Sequence, residues 1–142
     1  MISFRAYHAH DFHWINSLVE ANMAPYFSQY QVTWSPAYYQ DKLEQGEVWI
    51  ALCKGEKAGF FHMSEKNGQA YLNGIQVKPH FQGQGIGQHM MVAIDRLSMA
   101  KAYQELWLKV YHNNPIRLWY ERLGFSIEAK LPHQFLMKKL LS

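Results

Sequence analysis

Apolar positions recur along this chain with two periods, and the switches between them predict its elements. Ile2–Tyr7 reads as a strand. From His10 or Asp11 onward, Phe12, Ile15, Leu18 and Val19 recur at helical spacing, so a helix opens there. A polar-aromatic run, Pro25 to Trp34, follows it. Ser35-Pro36 is a helix start, with the serine as cap and the proline in the first turn; Tyr39 and Leu43 lie one turn apart, and Gly46 stops the helix. Val48–Cys53 and Ala58–Met63 read as a hairpin across Lys54-Gly55-Glu56-Lys57. Asn67-Gly68 predicts a second tight turn before a strand over Ala70–Val77. A long helix from about Gly85 to Lys101 puts Ile86, Met90, Ile94 and Leu97 on one face. In Glu105–Val110, Leu106, Leu108 and Val110 alternate with Trp107 and Lys109. Asn114 and Pro115 start a short helix with the stripe Ile116, Trp119, Tyr120, Leu123, and Gly124 ends it. Phe125–Ala129 and Phe135–Leu140 are the last strands. The order β-α-α-β-β-β-α-β-α-β-β describes an α/β fold. It is a single domain over residues 1–142, a mixed sheet of about seven strands flanked by about four helices.

The junction between Val77 and the long helix carries the clearest chemistry. In Gln82-Gly83-Gln84-Gly85-Ile86-Gly87-Gln88 three glycines alternate, so backbone N–H groups are left without side chains in front of them. The helix begins inside this run, and its unpaired first-turn N–H groups point into the same space. That is an anion cradle, suited to a phosphate. Neither common phosphate motif fits. A dinucleotide fingerprint needs a third glycine where Gln88 stands, and a nucleoside-triphosphate loop needs Lys-Ser/Thr where Gln88-His89 stand.

What fits is Gln82-x-x-Gly85-x-Gly87 after an apolar strand. This resembles the coenzyme A pyrophosphate loop of the GNAT family, the Gcn5-related N-acetyltransferases. A second stretch resembles the same family: the strand ending Lys109-Val110-Tyr111, then Asn113, then a short helix carrying Tyr120 and closing on Gly124-Phe125. The resemblance implies that the strand before the glycine loop and the strand before the Tyr120 helix splay apart, with the pantetheine arm in the gap. It implies cofactor contacts from the backbone of Ile75 and Val77, from the loop residues Gln82, Gly83, Gln84, Gly85, Ile86, Gly87 and Gln88, and from Asn113. The donor would be acetyl-CoA, and transfer to an amine would be direct. Tyr120 stands at the family's general-acid position, and its phenol is a proton donor at neutral pH. It also belongs to the apolar stripe, so a packing role is the competing reading. Many relatives carry a glutamate base where this chain has Tyr71. Asn73, two residues on and on the same face, can hold a relaying water; His62, His112, Glu65 and His133 are the remaining titratable groups for deprotonation. Tyr26, Tyr30, Trp34 and Tyr71 are the aromatic candidates for an acceptor wall, with core packing the bland alternative.

Composition narrows the classes without naming the acceptor. Hydrophobic residues are 49% and charged residues 18%, which fits a globular enzyme rather than a disordered chain. The net charge of +3 suits a polyanionic small molecule, but no dense Lys/Arg stripe speaks for nucleic acid. A single cysteine, Cys53, excludes an internal disulfide and fits a reducing, cytoplasmic setting. The N-terminus does not read as a signal peptide, and no apolar run is long enough to span a bilayer. The eight histidines form no metal-ligand spacing with a supporting carboxylate or cysteine, so no metal is expected. The reading is therefore an acyltransferase acting on a small-molecule or protein amine, with no nucleic-acid or membrane partner and a homodimer left open. The alternative is a non-catalytic acyl-CoA-binding regulatory module.

Overall fold

The computed structural model describes residues Met1–Ser142. Seven strands form one sheet: β1 (Ile2–Ala6), β2 (Glu47–Cys53), β3 (Glu56–Lys66), β4 (Gln69–Val77), β5 (Glu105–Tyr111), β6 (Ser126–Lys130) and β7 (Gln134–Leu140). The helices are α1 (Phe12–Gln29), α2 (Pro36–Gln45), α3 (Ile86–Ala100) and α4 (Ile116–Arg122). The sheet order is β1-β2-β3-β4-β5-β7-β6. Every pairing is antiparallel except β4 with β5, where α3 makes the crossover that parallel strands require.

Strand alternation divides the core in two. Ile50 and Phe60 pack with Ile15, Leu18 and Val19 of α1 and Leu43 of α2 on one face. Their neighbours Ala51 and Phe61 turn to the other face, where Met90, Met91 and Ile94 of α3 and Tyr120 of α4 join them.

Two elements run further than their sequence suggests. Helix α1 continues through Pro25 to Gln29. The proline removes one helical N–H, a cost of about 3 kcal/mol in a helix interior. Packing offsets it: Tyr26 and Tyr30, one turn apart, stack on Tyr111 with centroids 5.7 and 4.9 Å away, and Phe27 stacks on Trp34 at 5.0 Å. Strand β3 already starts at Glu56, because the β2–β3 turn needs only Lys54 and Gly55, both at positive φ (53° and 82°), and it runs on to Lys66. Asn67-Gly68 makes the same kind of turn at φ 53° and 75°.

Asp11 does not cap α1 through its side chain. Fully buried, it accepts both Arg5 guanidinium nitrogens (2.9 and 2.8 Å), Lys57 Nζ (2.8 Å) and the His8 amide (2.9 Å). These donors, Arg5 foremost, hold its carboxyl well below the usual carboxylate range. The cluster fastens the start of α1 to β1 and β3.

Candidate active site

The β4–β5 ladder is short. It joins Ala70, Leu72 and the Tyr71 between them to Leu106, Leu108 and Trp107, and ends there. At that point the β3–β4 register steps from Leu72 to Gly74, leaving Asn73 as the extra residue of a β-bulge. A bulge bends its strand and raises its twist. Beyond it β4 leaves β5, and a wedge opens between them. A cavity of about 1190 Å³ occupies this region, lined by Ile75 and Gln76 on one strand, Lys109 and Val110 on the other, and Tyr120 from α4.

The glycine loop lies at the far end of β4. Gly83 and Gly85 sit at φ 79° and 82°, a left-handed conformation that glycine adopts without strain, and a Cβ on either would meet no protein atom. Gly87 has no such requirement; a Cβ there would reach Trp119 at 3.5 Å, an ordinary contact. The amides from Gly83 to Gln88 donate to no backbone carbonyl, whereas His89 resumes the helical pattern by bonding the Gly85 carbonyl at 3.1 Å. Six adjacent free donors at the positive end of a fifteen-residue helix fit the diphosphate of coenzyme A. The Gln82 side chain turns back and donates to the Val77 carbonyl (3.1 Å), which also accepts from Asn22 Nδ2 at 3.2 Å. Gln84 donates to the His80 carbonyl. The two glutamine side chains thus brace the loop. Asn22, on α1, has no signal in the sequence that marks it out; a helix position that bonds a strand end leaves no periodic mark.

Tyr120 is 7% exposed and packs edge-on to Phe125. Burial pushes its hydroxyl above the usual phenol range, so it keeps its proton at neutral pH. The hydroxyl makes no hydrogen bond within the chain, yet is not a sealed orphan like the Tyr7 hydroxyl, and the side chain lines the cavity.

Of the other residues singled out above, Tyr26, Trp34 and Asn73 also reach the cavity wall. Asn73 Nδ2 donates to Ser64 Oγ at 2.8 Å. Tyr30 and Tyr71 do not line it. The Tyr30 hydroxyl donates to Asn113 Oδ1 (2.9 Å), and Asn113 Nδ2 donates to Gln29 (2.6 Å), so Asn113 ties the end of α1 to the β5–α4 loop. Asn114 is the one on the wall, and its Oδ1 caps α4 by accepting the Ile116 amide at 3.0 Å. Tyr71 lies under the Lys66 ammonium, 3.8 Å from its ring centroid.

Among the titratable groups, His112 and His133 stand away from the cavity, while His62 and Glu65 line it. His62 is 5% exposed, and burial pulls its imidazole down to about 4, leaving it neutral at pH 7. Glu65 accepts the Tyr103 hydroxyl. Its neighbour Lys66 is pulled below the usual ammonium range by burial and by Lys109 and Lys42. No three His, Cys, Asp or Glu side chains converge on a common point, and no helix is long and apolar enough to cross a membrane.

Residues 44–127, more than half of the chain, match the family model described as "Acetyltransferase (GNAT) domain". The chain belongs to that family. Among solved structures, Ard1 from Thermoplasma volcanium superimposes with a TM-score of 0.85 at 18% identity, covering 99% of this chain and 98% of that one. PaiA N-acetyltransferase from Thermoplasma acidophilum, solved in complex with coenzyme A, gives 0.82 at 17% identity over 99% of both chains. At these identities the likeness is one of fold. Among curated proteins, a "Probable spermine N(1)-acetyltransferase" of Bacillus subtilis subsp. natto is 35% identical over 69 residues, 46% of this chain and 45% of that protein. The [ribosomal protein bS18]-alanine N-acetyltransferase of Haemophilus influenzae is 32% identical over 88 residues, 60% of each chain. The matched segments thus span roughly half the length of these relatives.

Proposed function

We propose that this chain is an acetyl-CoA-dependent N-acetyltransferase that moves the acetyl group directly onto a primary amine. One observation carries the reading: six unpaired amides, Gly83 to Gln88, directly follow Gln82, which lines the same cavity as Tyr120. When bound, acetyl-CoA supplies an activated thioester. The loop amides grip its diphosphate, and the open edge of β4 around Ile75 offers backbone groups to its pantetheine arm. The reaction forms a C–N bond and breaks a C–S bond, so a proton must leave the amine and another must reach the sulfur. Tyr120 is suited to the second task, since its raised pKa keeps the phenol protonated while its hydroxyl lacks a competing partner. For the first task the cavity offers neutral His62 and a water held near Asn73 and Ser64.

The test is thiol release. Acetyl-CoA with a panel of amines should yield free coenzyme A and acetylated product, and isotope-labelled protein titrated with coenzyme A should show amide shifts from Gly83 to Gln88. Tyr71, standing where many relatives carry a glutamate, favours a second reading, a regulatory module that binds the coenzyme and does not turn it over. Amide shifts without thiol release from any amine would select it.

A further inference from the structure

Building on the transferase reading, we propose that the acceptor is a small amine that also carries an anionic group, a carboxylate or a phosphate, received by Lys42, Lys66 and Lys109. The three ammonium groups come from three elements, α2, β3 and β5, and line one cavity. None is in an ion pair. Two are aimed by aromatic faces: Lys66 lies over Tyr71 at 3.8 Å and Lys42 over Tyr38 at 5.3 Å. Lys109 directly follows Leu108, the last rung of the β4–β5 ladder, so it stands at the fork where the wedge opens.

Strand alternation explains why nothing neutralises them. Leu108 and Val110 turn into the core beneath α3, which sends Lys109 to the α1–α2 side; Ala70, opposite Glu65, makes the same division for β3 and puts Lys66 on that side too. The two carboxylates on the cavity wall belong to the other side and are engaged: Glu47 with Lys101 at 2.6 Å, and Glu65 with the Tyr103 hydroxyl. Three like charges gathered without a counter-ion repel one another and a polycation alike. They become favourable when an anion arrives. The same surplus charge disfavours the protonated form of an amine placed beside it, which supplies the neutral nucleophile without a carboxylate base.

The experiment measures kcat/KM by thiol release for matched acceptors: amino acids against their carboxamides, aminoalkyl phosphates against the parent amino alcohols, and spermidine. The anionic member of a pair should be preferred by at least about tenfold, since a charge-assisted contact contributes that much or more. Which pair shows it separates carboxylate from phosphate. Lys66→Met and Lys109→Met should collapse the preference towards unity while coenzyme A affinity, read by calorimetry, stays within about twofold. Preference for spermidine or the uncharged members, or a preference that survives both substitutions, overturns the anion site and leaves the transferase reading standing. Silence from every amine, in protein that still binds coenzyme A, overturns the transferase reading and this inference with it.

Discussion

Gly85 and Gly55 form a matched pair that separates folding from binding. Both sit at φ 82°, and a Cβ on either would meet no protein atom within 4 Å. Gly55 turns the β2–β3 hairpin, away from the cavity; Gly85 opens α3 within the run of free amides. Alanine at each position forces an L-residue into the left-handed region at about 1–2 kcal/mol. For a chain of this size that is a fall in Tm of about 3–8 °C, expected to be similar for Gly55→Ala and Gly85→Ala. Their coenzyme affinities should part company. The space the Gly85 methyl enters is where a phosphate must approach, and losing two charge-assisted hydrogen bonds costs about 3–6 kcal/mol, at least about a hundredfold in Kd. Melting curves and calorimetry with coenzyme A read the two effects separately. If Gly85→Ala binds as tightly as Gly55→Ala at equal loss of stability, the amides are not the diphosphate site.

Tyr120→Phe should lower kcat by about a hundredfold or more while leaving coenzyme affinity and Tm nearly unchanged; wild-type turnover would remove the hydroxyl from the mechanism. Asp11→Asn should cost about 2–4 kcal/mol in urea unfolding, because Arg5 and Lys57 lose the carboxylate they share. Asp11 has a depressed folded pKa, so its stabilisation is full above the unfolded value near ~4 and fades as pH falls below that. The variant should show a correspondingly flatter acid limb, and an unchanged one would refute the assignment. Gly46→Ala would place a Cβ 2.5 Å from His62 Nε2 and 2.7 Å from the Met63 carbonyl, so it should destabilise the fold by about 1–3 kcal/mol; a neutral result would mean that the β2–β3 end yields more easily than its packing implies.

The strand and helix order was legible because each element keeps one period, as Leu106, Leu108 and Val110 do against Trp107 and Lys109. The glycine loop was legible for the same reason: its constraint is local. Pro25 misleads because the compensation for a proline in a helix comes from Tyr111, some eighty residues away. Spacing to Tyr120 assigns Asn113 to the cofactor and capping assigns Asn114 to the start of α4; hydrogen bonds to Gln29 and Tyr30 engage the first, and the second caps α4 while also lining the cavity. The lysine cluster was hidden because its members come from separate elements. Only strand register shows Lys66 and Lys109 on the same side of the sheet.

The three-rung contact between β4 and β5 also has a mechanical meaning. It makes the sheet two half-sheets on a narrow hinge, four strands against three, held elsewhere by the α3 side of the core. A molecule lying in the cleft would act as a clasp. Its binding free energy would appear as resistance to prying the halves apart, so hydrogen exchange along β4 and β5 should slow together in proportion to ligand saturation.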